Sequence, residues 1–178
     1  MARRDNQRVD SVAEILTVGH STHEAERFVR LVSAHRVELV GDVRRYPKSR
    51  RHPQFNADAL ATTLADAGIA YEPLGDRLGG RRRARPDSRH AVWRVAAFRV
   101  YADHMDTDEF VAGLEHLEGL AREHRTAIMC AEGEWRRCHR RLISDALAER
   151  GWRVFHIRPD GRIEEHPPTV FEAVSGSE

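Results

Sequence analysis

The sequence predicts an α/β fold: an open, mainly parallel sheet of about five strands with helices on both faces. Short apolar segments alternate along the chain with longer segments whose apolar residues recur every three or four positions. The resulting order is strand, helix, strand, helix, strand, helices, strand, helix, strand. Such alternation is typical of a parallel sheet covered by helices.

The first half of the chain supplies three strands and two helices. The strands are predicted over residues 15–18, 37–43 and 69–74. Ser21 or Thr22 is expected to cap the first helix, because a short polar side chain can accept a hydrogen bond from a first-turn N–H group. Asn56 is expected to cap the second helix and Gly68 to end it.

The second half supplies the remaining helices and two more strands. The helices are predicted over residues 91–104, 108–124 and from the second cysteine to Arg150, and the strands over 126–130 and 152–157. Asp108 is expected to cap the helix that it begins. A short helix is also predicted near Phe171.

Length and composition favour one domain. Of the 178 residues, 14–158 form the predicted single α/β domain, 1–13 a flexible N-terminus, and 159–178 a turn and C-terminal tail. Neither a signal peptide nor an apolar run of roughly 18 residues is visible, so no membrane partner is expected. Two cysteines are too few for a disulfide framework, and we expect a cytoplasmic protein. A net charge of +1 argues against binding polyanions through overall charge alone.

Residues 126–141 hold the most unusual chemistry of the chain. This segment runs from a buried strand into a helix and contains both cysteines, Cys130 and Cys138. The N–H groups at the start of a helix attract anions and lower the pKa of a thiol. Four arginines add positive charge, at positions 136, 137, 140 and 141. The segment therefore predicts an electropositive pocket that contains one or two thiols.

Polar segments follow four of the predicted strands. They are residues 19–21, 42–44, 75–83 and 130–141. Because the carboxyl ends of parallel strands meet at one edge of a sheet, we expect these segments to share a single site there.

Several short motifs together resemble the family called domain of unknown function 488, over about residues 14–158. They are Gly19-His20-Ser21, Asp42-Val43-Arg44 with Pro47 and Ser49, Pro53 with Phe55, Leu78-Gly79-Gly80-Arg81, Cys130-Ala131-Glu132 and Cys138-His139-Arg140. The resemblance implies that these residues belong together, and it implies no particular activity.

Two further likenesses involve the first cysteine. Cys130 and Arg136 have the spacing of a protein-tyrosine-phosphatase loop, and Cys130-Ala131-Glu132-Gly133 resembles a rhodanese active loop. Since the family pattern does not require Arg136, we interpret the phosphatase spacing as a coincidence.

Two sets of candidate residues follow. The candidate catalytic residues are Cys138, Cys130, His20, Glu132 and His139. The candidate substrate-binding residues are Ser21, Asp42, Arg44, Tyr46, Gly79, Gly80, Arg81 and Arg140. Each also has a plainer interpretation: Cys130 as a core residue, Asp42 and Arg44 as an internal ion pair, and His139 as a surface histidine. Neither a metal nor a cofactor is predicted, because the two cysteines are spaced too widely for a typical zinc site.

We expect a cysteine-dependent enzyme, a transferase or hydrolase, that acts on a phosphate-bearing or other small anionic substrate. The alternative is a nucleic-acid or nucleotide-binding module without catalysis. Residues 44–51 and 77–85 hold ten of the 29 Lys and Arg residues, and Tyr46 and Phe55 are interleaved with them. This pattern fits phosphate contacts combined with base stacking. The sequence leaves the oligomeric state open.

Overall fold

A computed structural model describes residues 12–168. The six strands are β1 (Glu14–Gly19), β2 (Leu39–Asp42), β3 (Ala70–Pro73), β4 (Thr126–Cys130), β5 (Arg153–Ile157) and β6 (Ile163–Glu165). The six helices are α1 (Ala25–Ala34), α2 (Ala57–Asp66), α3 (Gly75–Leu78), α4 (Ala96–Met105), α5 (Asp108–Glu123) and α6 (Arg140–Glu149). Most of the predicted flexible N-terminus and the helix expected near Phe171 lie outside the described residues.

All six strands form one sheet, in the order β3-β2-β4-β1-β5-β6. The first five are parallel, which confirms the predicted α/β architecture. The short strand β6 pairs antiparallel with β5 and lies in the segment predicted to be a turn and tail. Gly161 allows this reversal, because its φ of 88° lies in the left-handed region that glycine tolerates.

Helices cover both faces of the sheet, as predicted. Alternate residues of a strand point to opposite faces, so Ile128 packs towards α5 and α6 while Ala127 and Met129 pack towards α1 and α2. Cys130 lies on the same face as Ile128, beneath the start of α6. Within residues 12–168, no helix is both long and apolar enough to cross a bilayer.

The helix starts differ from the predictions in their caps. Thr107, and not Asp108, caps α5 by accepting a hydrogen bond from the Phe110 N–H. The Asn56 side chain accepts from the Ser49 N–H at 2.6 Å, which closes the loop before α2. Neither Ser21 nor Thr22 caps α1, because the chain turns through Ser21 at a positive φ of 50° and the helix begins only at Ala25. Helix α4 begins at Ala96, five residues later than predicted.

Candidate active site

A cavity of about 350 Å³ opens at the carboxyl edge of the sheet. The segments that follow β2, β3 and β4 line it, and α4 closes one side with Phe98 and Tyr101. Both cysteines, His139 and Glu132 lie in its wall, together with Arg44, Tyr46, Gly80 and Arg81. Three of the four predicted segments therefore meet at one cavity. The fourth, after β1, lies behind the wall: His20 contacts Arg44, and Ser21 lines a separate hollow beside Gly133 and Pro159.

The two cysteine sulfurs are in direct contact. Cys130 ends β4 and Cys138 lies just before α6, and their Sγ atoms are 2.8 Å apart. The Cys138 sulfur also lies 3.5 Å from His139 Nδ1 and 3.5 Å from the backbone N–H of Arg140. Two hydrogen-bond donors, the Cys130 thiol and the Arg140 N–H, and the imidazole of His139 therefore converge on Cys138. The other neighbour of the Cys130 sulfur is the Glu132 carbonyl, an acceptor, at 3.7 Å.

The surroundings of the two thiols shift their pKa values in opposite directions. Burial and the hydrogen bond to Cys138 raise the pKa of the Cys130 thiol well above its ordinary value. Burial opposes ionisation of Cys138 as well, but its hydrogen bonds with Cys130 and His139 and the positive charge of Arg140 lower its pKa well below the ordinary value. The contacts therefore favour the thiolate at Cys138 and the neutral thiol at Cys130.

A backbone contact orients His139. Its Nε2 atom lies 2.9 Å from the Val43 carbonyl, so this nitrogen carries a proton and donates it. The ring then presents Nδ1 to the Cys138 sulfur, as an acceptor for the thiol proton. Such a pairing, with the imidazole held by a third group, is the usual arrangement of a cysteine nucleophile and its base.

Arg140 lies under the cysteine loop and not in the cavity. Its side chain is fully buried, donates from Nη2 to the Glu132 carbonyl at 2.5 Å, and donates from Nη1 to Thr17 Oγ1 at 3.2 Å. No ion pair with a carboxylate is formed by this guanidinium in the described part of the chain, and its pKa is nevertheless raised, because its interactions with the two cysteines outweigh the effect of burial. The thiolate is therefore its counter-charge. The sequence predicts direct contact between Arg140 and a substrate. The loop above Arg140 blocks that contact.

A hydrogen-bonded chain continues from Arg140 through the sheet to α6. Because a guanidinium only donates, the Thr17 hydroxyl proton points to His156 Nδ1 at 2.7 Å. His156 Nε2 then donates to His166 Nδ1 at 2.9 Å, and His166 Nε2 donates to Asp145 Oδ1 at 2.8 Å. Burial and neighbouring positive charge lower the pKa of His156 to about 3, so it stays neutral. These hydrogen bonds connect the buried guanidinium of Arg140 to the carboxylate of Asp145.

Asp42 and Arg44 form the internal ion pair that the plainer interpretation describes. Asp42 accepts from Arg44 Nε at 2.9 Å and Nη2 at 2.6 Å, and also from the Tyr71 hydroxyl. The remaining terminal nitrogen, Arg44 Nη1, lies 3.3 Å from His20 Nε2, while His20 Nδ1 bonds to the Ser21 carbonyl. Burial and the Arg44 charge lower the pKa of His20 to about 4. His20 therefore accepts from Arg44 as a neutral ring and positions it.

Arginines with few partners surround the cavity. The side chains of Arg81 and Arg137 make no ion pair or hydrogen bond with any of residues 12–168, and Arg45 contacts only the Tyr46 hydroxyl. Arg82 also lines the cavity, but it pairs with Glu109 at 3.5 Å. Glu132 is the single carboxylate in the described wall, and its side chain is exposed. The cavity is therefore strongly electropositive.

Glycines let the loops approach one another. A Cβ atom at Gly19 would lie 1.9 Å from the Glu132 carbonyl oxygen, and one at Gly79 would lie 2.3 Å from the Gly75 carbonyl oxygen. A Cβ at Gly80 would press on His139 Nδ1 at 3.2 Å. Gly79 and Gly80 therefore shape the wall through their lack of a side chain.

Two expected contributions to the site need correction: base stacking by Phe55, and the charge of Arg136 in the electropositive pocket. Phe55 is fully buried and stacks on His20 at 4.2 Å, so it is not available to a base, whereas Tyr46 is 61% exposed. Arg136 points away from the cavity and pairs with Glu134 and Glu164 while lying over Trp135. The spacing between Cys130 and Arg136 therefore does not form a phosphatase-like loop.

Comparison with known proteins bears on the family. The profile of the family described as Domain of unknown function DUF488 matches residues 24–147, more than half of the chain. The chain belongs to the DUF488 family. The matched residues of this DUF488 protein include both cysteines, His139 and the arginines of the cavity, whereas β1 and His20 precede them. No curated protein and no solved structure matches the chain.

Sequence reasoning missed several residues of this site. Arg45, Arg82 and Arg137 belong to the cavity wall as much as Arg81 does. The presence of several arginines beside the named motifs was the available signal for them. The buried His156 was signalled only by a polar residue within an apolar strand, and nothing in the sequence connects it with Thr17.

Proposed function

We propose that this DUF488 protein is a cysteine-dependent transferase or hydrolase that acts on a phosphate-bearing or other small anionic substrate. One observation carries the proposal: the Cys138 sulfur, in an arginine-lined cavity, has two hydrogen-bond donors within 3.5 Å, the Cys130 thiol and the Arg140 N–H, and the imidazole of His139 as a base beside it. A thiolate is the nucleophilic form of cysteine, and these contacts stabilise it.

The reaction begins with attack by the Cys138 thiolate on an electrophilic centre of the substrate. A bond forms from sulfur to the transferred group, and the bond to the leaving group breaks. The leaving group takes its proton from His139 Nδ1, which had received it from the thiol. A second acceptor then displaces the group and regenerates the thiolate. In a hydrolase that acceptor is water, and we assign its activation to Glu132, the carboxylate in the described cavity wall.

The anionic part of the substrate is assigned to Arg81 and Arg137. Both line the cavity and have their donors uncommitted within residues 12–168. Arg44 contributes positive potential, but Asp42 and His20 already occupy most of its donors. Arginine forms bidentate contacts with phosphate, which suits a rim of this kind.

Protection from alkylation tests anion binding without knowledge of the substrate. Inorganic phosphate should slow iodoacetamide labelling of Cys138 in the wild type and should protect far less in Arg81→Ala and Arg137→Ala variants. Arg136→Ala is the matched control, since Arg136 lies close in sequence but outside the cavity. Equal protection in all four proteins would contradict the assignment. A panel of phosphate esters and thioesters then tests turnover, which Cys138→Ser should abolish.

One observation favours the nucleotide or nucleic-acid alternative. Tyr46 is exposed beside the cavity, with the Arg45 guanidinium 5.8 Å from its ring centroid. An exposed ring next to arginines is able to stack a base. Fluorescence anisotropy with labelled single- and double-stranded oligonucleotides, at two salt concentrations, should show binding that weakens steeply with salt and is lost in Tyr46→Ala. Absence of binding at low salt would remove this alternative.

A further inference from the structure

We propose that Cys130 and Cys138 form a peroxide-sensitive dithiol, in which a hydroperoxide oxidises Cys138 and Cys130 then closes a reversible disulfide. The chain contains only these two cysteines, and they are already in contact. Formation of the disulfide does not depend on the proposed function. The consequence that it switches off turnover does rest on that function.

The geometry allows the bond to form with a small movement. The sulfurs are 2.8 Å apart, and a disulfide bond is about 2.0 Å long. Cys130 is fixed at the end of β4, where it lies opposite Gly19 of β1. Cys138 directly follows the short turn Trp135–Arg137 and lies two residues before the start of α6. Rotation of the two side chains therefore brings the sulfurs together without rearrangement of the sheet.

Unequal contacts give the two sulfurs different roles. Cys138 is the sulfur on which the N–H of Arg140 and the imidazole of His139 converge, so it is the nucleophile towards a peroxide. Cys130 faces the Glu132 carbonyl, which favours the protonated thiol. It is therefore the resolving cysteine. Both cysteines line the cavity, which is the route by which we propose that a small hydroperoxide reaches them.

Disulfide formation takes two steps, oxidation of Cys138 and attack by Cys130, and atoms and electrons balance in each. The Cys138 thiolate attacks the nearer oxygen of the hydroperoxide, the O–O bond breaks, and the alkoxide or hydroxide takes the proton held by His139; Cys138 becomes a sulfenic acid. The Cys130 sulfur then attacks the sulfenic sulfur, the S–O bond breaks, and the hydroxyl leaves as water with the Cys130 proton. Two thiols lose two electrons and form one disulfide. The hydroperoxide gains these electrons: an organic hydroperoxide yields one alcohol and one water, and hydrogen peroxide yields two waters.

The buried cation makes the disulfide easy to reduce. Oxidation removes the thiolate that balances Arg140, whose other contacts among residues 12–168 are neutral. Stabilisation of the reduced, thiolate form shifts the equilibrium towards reduction, as it does in strongly oxidising dithiol proteins. The pair therefore suits a switch that resets, in preference to a permanent crosslink.

Mass spectrometry of the full-length protein tests the proposal. After a small excess of hydrogen peroxide and blocking of free thiols, the wild type should lose two hydrogen atoms and yield a linked peptide that joins Cys130 to Cys138. Dithiothreitol should restore both thiols. Cys130→Ser should instead accumulate a sulfenic acid at Cys138, which dimedone traps, and Cys138→Ser should leave Cys130 as a thiol.

Three outcomes would overturn the proposal: higher oxidation of Cys138 in the wild type without a linked peptide, crosslinks between molecules only, or equal peroxide reactivity of Cys130 in Cys138→Ser. The wild-type peptide decides the question even if a variant fails to fold, which circular dichroism would reveal. If the linked peptide forms while phosphate gives no protection and no substrate is turned over, the dithiol chemistry stands and its regulatory role fails together with the proposed function.

Discussion

At the scale of single residues, Cys138 and Arg140 share one charge balance. A buried guanidinium is costly unless an anion compensates it, and the sulfur of Cys138 is the anion placed to do so. The same pairing lowers the pKa of Cys138, against the effect of its burial. Each group therefore maintains the charge of the other.

Replacement of Arg140 by Met removes this charge while it keeps a side chain of similar length. We expect iodoacetamide to label Cys138 more slowly at pH 7, because loss of the Arg140 charge raises the pKa of the thiol and so lowers the thiolate fraction. Arg141→Met is the matched control: Arg141 is the next residue and lies over Trp93 instead. A labelling rate unchanged in Arg140→Met would contradict the charge balance.

His20 gives the protein an acid-sensitive stability. The pKa of His20 is about 4 in the folded protein and 6.5 ordinarily, so the unfolded chain binds more protons between these values. Stability is therefore complete above pH 6.5 and falls as the pH drops towards 4, by up to about 3 kcal/mol from this residue. Urea unfolding at several pH values should show a smaller loss for His20→Gln than for the wild type. His124→Gln, which changes an exposed histidine, should behave like the wild type.

At the scale of elements, β1 supports the cysteine loop from below. Gly19 lies opposite Cys130 in the sheet, and its bare Cα makes room for the Glu132 carbonyl and Arg140 Nη2. Thr17, two residues earlier on β1, receives the other terminal nitrogen of Arg140. The loop and α6 are therefore positioned by one strand edge.

A methyl group at Gly19 should displace this loop. A Cβ there would lie 1.9 Å from a backbone oxygen, so Gly19→Ala should lower the free energy of unfolding by about 3 kcal/mol or more and slow labelling of Cys138. Gly119→Ala is the control: Gly119 lies within α5, and a Cβ there would meet no described atom within 4 Å. That variant should be more stable by about 0.5–1 kcal/mol. Equal stability of the two variants in urea unfolding would contradict the account.

The hydrogen-bond network couples β1, β5 and α6 through His166, the residue that follows β6. His156→Phe should keep the stacking on Trp135, whose ring centroid is 3.9 Å from that of His156, but should leave Thr17 and His166 without their partner. We expect a loss of about 2 kcal/mol in urea unfolding. Labelling of Cys138 should also slow, because Thr17 no longer fixes Arg140. Exposed His124→Phe is the control, and full retention of both properties in His156→Phe would remove the coupling.

At the scale of the whole molecule, the parallel sheet explains why the site could be predicted in part. Parallel strands bring their carboxyl ends to one edge, so the segments after β2, β3 and β4 met as expected. The direction of Arg140 could not be predicted, because it depends on the rotation of α6 about its axis, which packing sets. The contact between Thr17 and His156, 139 residues apart, depends on the strand order, which sequence left open.

Helix α5 carries several acidic residues, and two of them have arginine partners. In the structure Glu118 is buried against Arg150 and Trp152, and Glu109 pairs with Arg82 at the cavity. Part of the acidic charge is thus neutralised locally, while Arg81 and Arg137 keep uncommitted donors beside the cysteines.

The pH dependence of alkylation at each cysteine tests the central claim, that Cys138 is a thiolate nucleophile in this cavity. The measurement uses limiting iodoacetamide on the reduced full-length protein, with labelling quantified for each cysteine peptide at each pH. We expect the labelling of Cys138 to have its midpoint well below the ordinary value of about 8.5, while Cys130 remains largely unlabelled there. A midpoint for Cys138 at or above that value, or faster labelling of Cys130, would contradict the account.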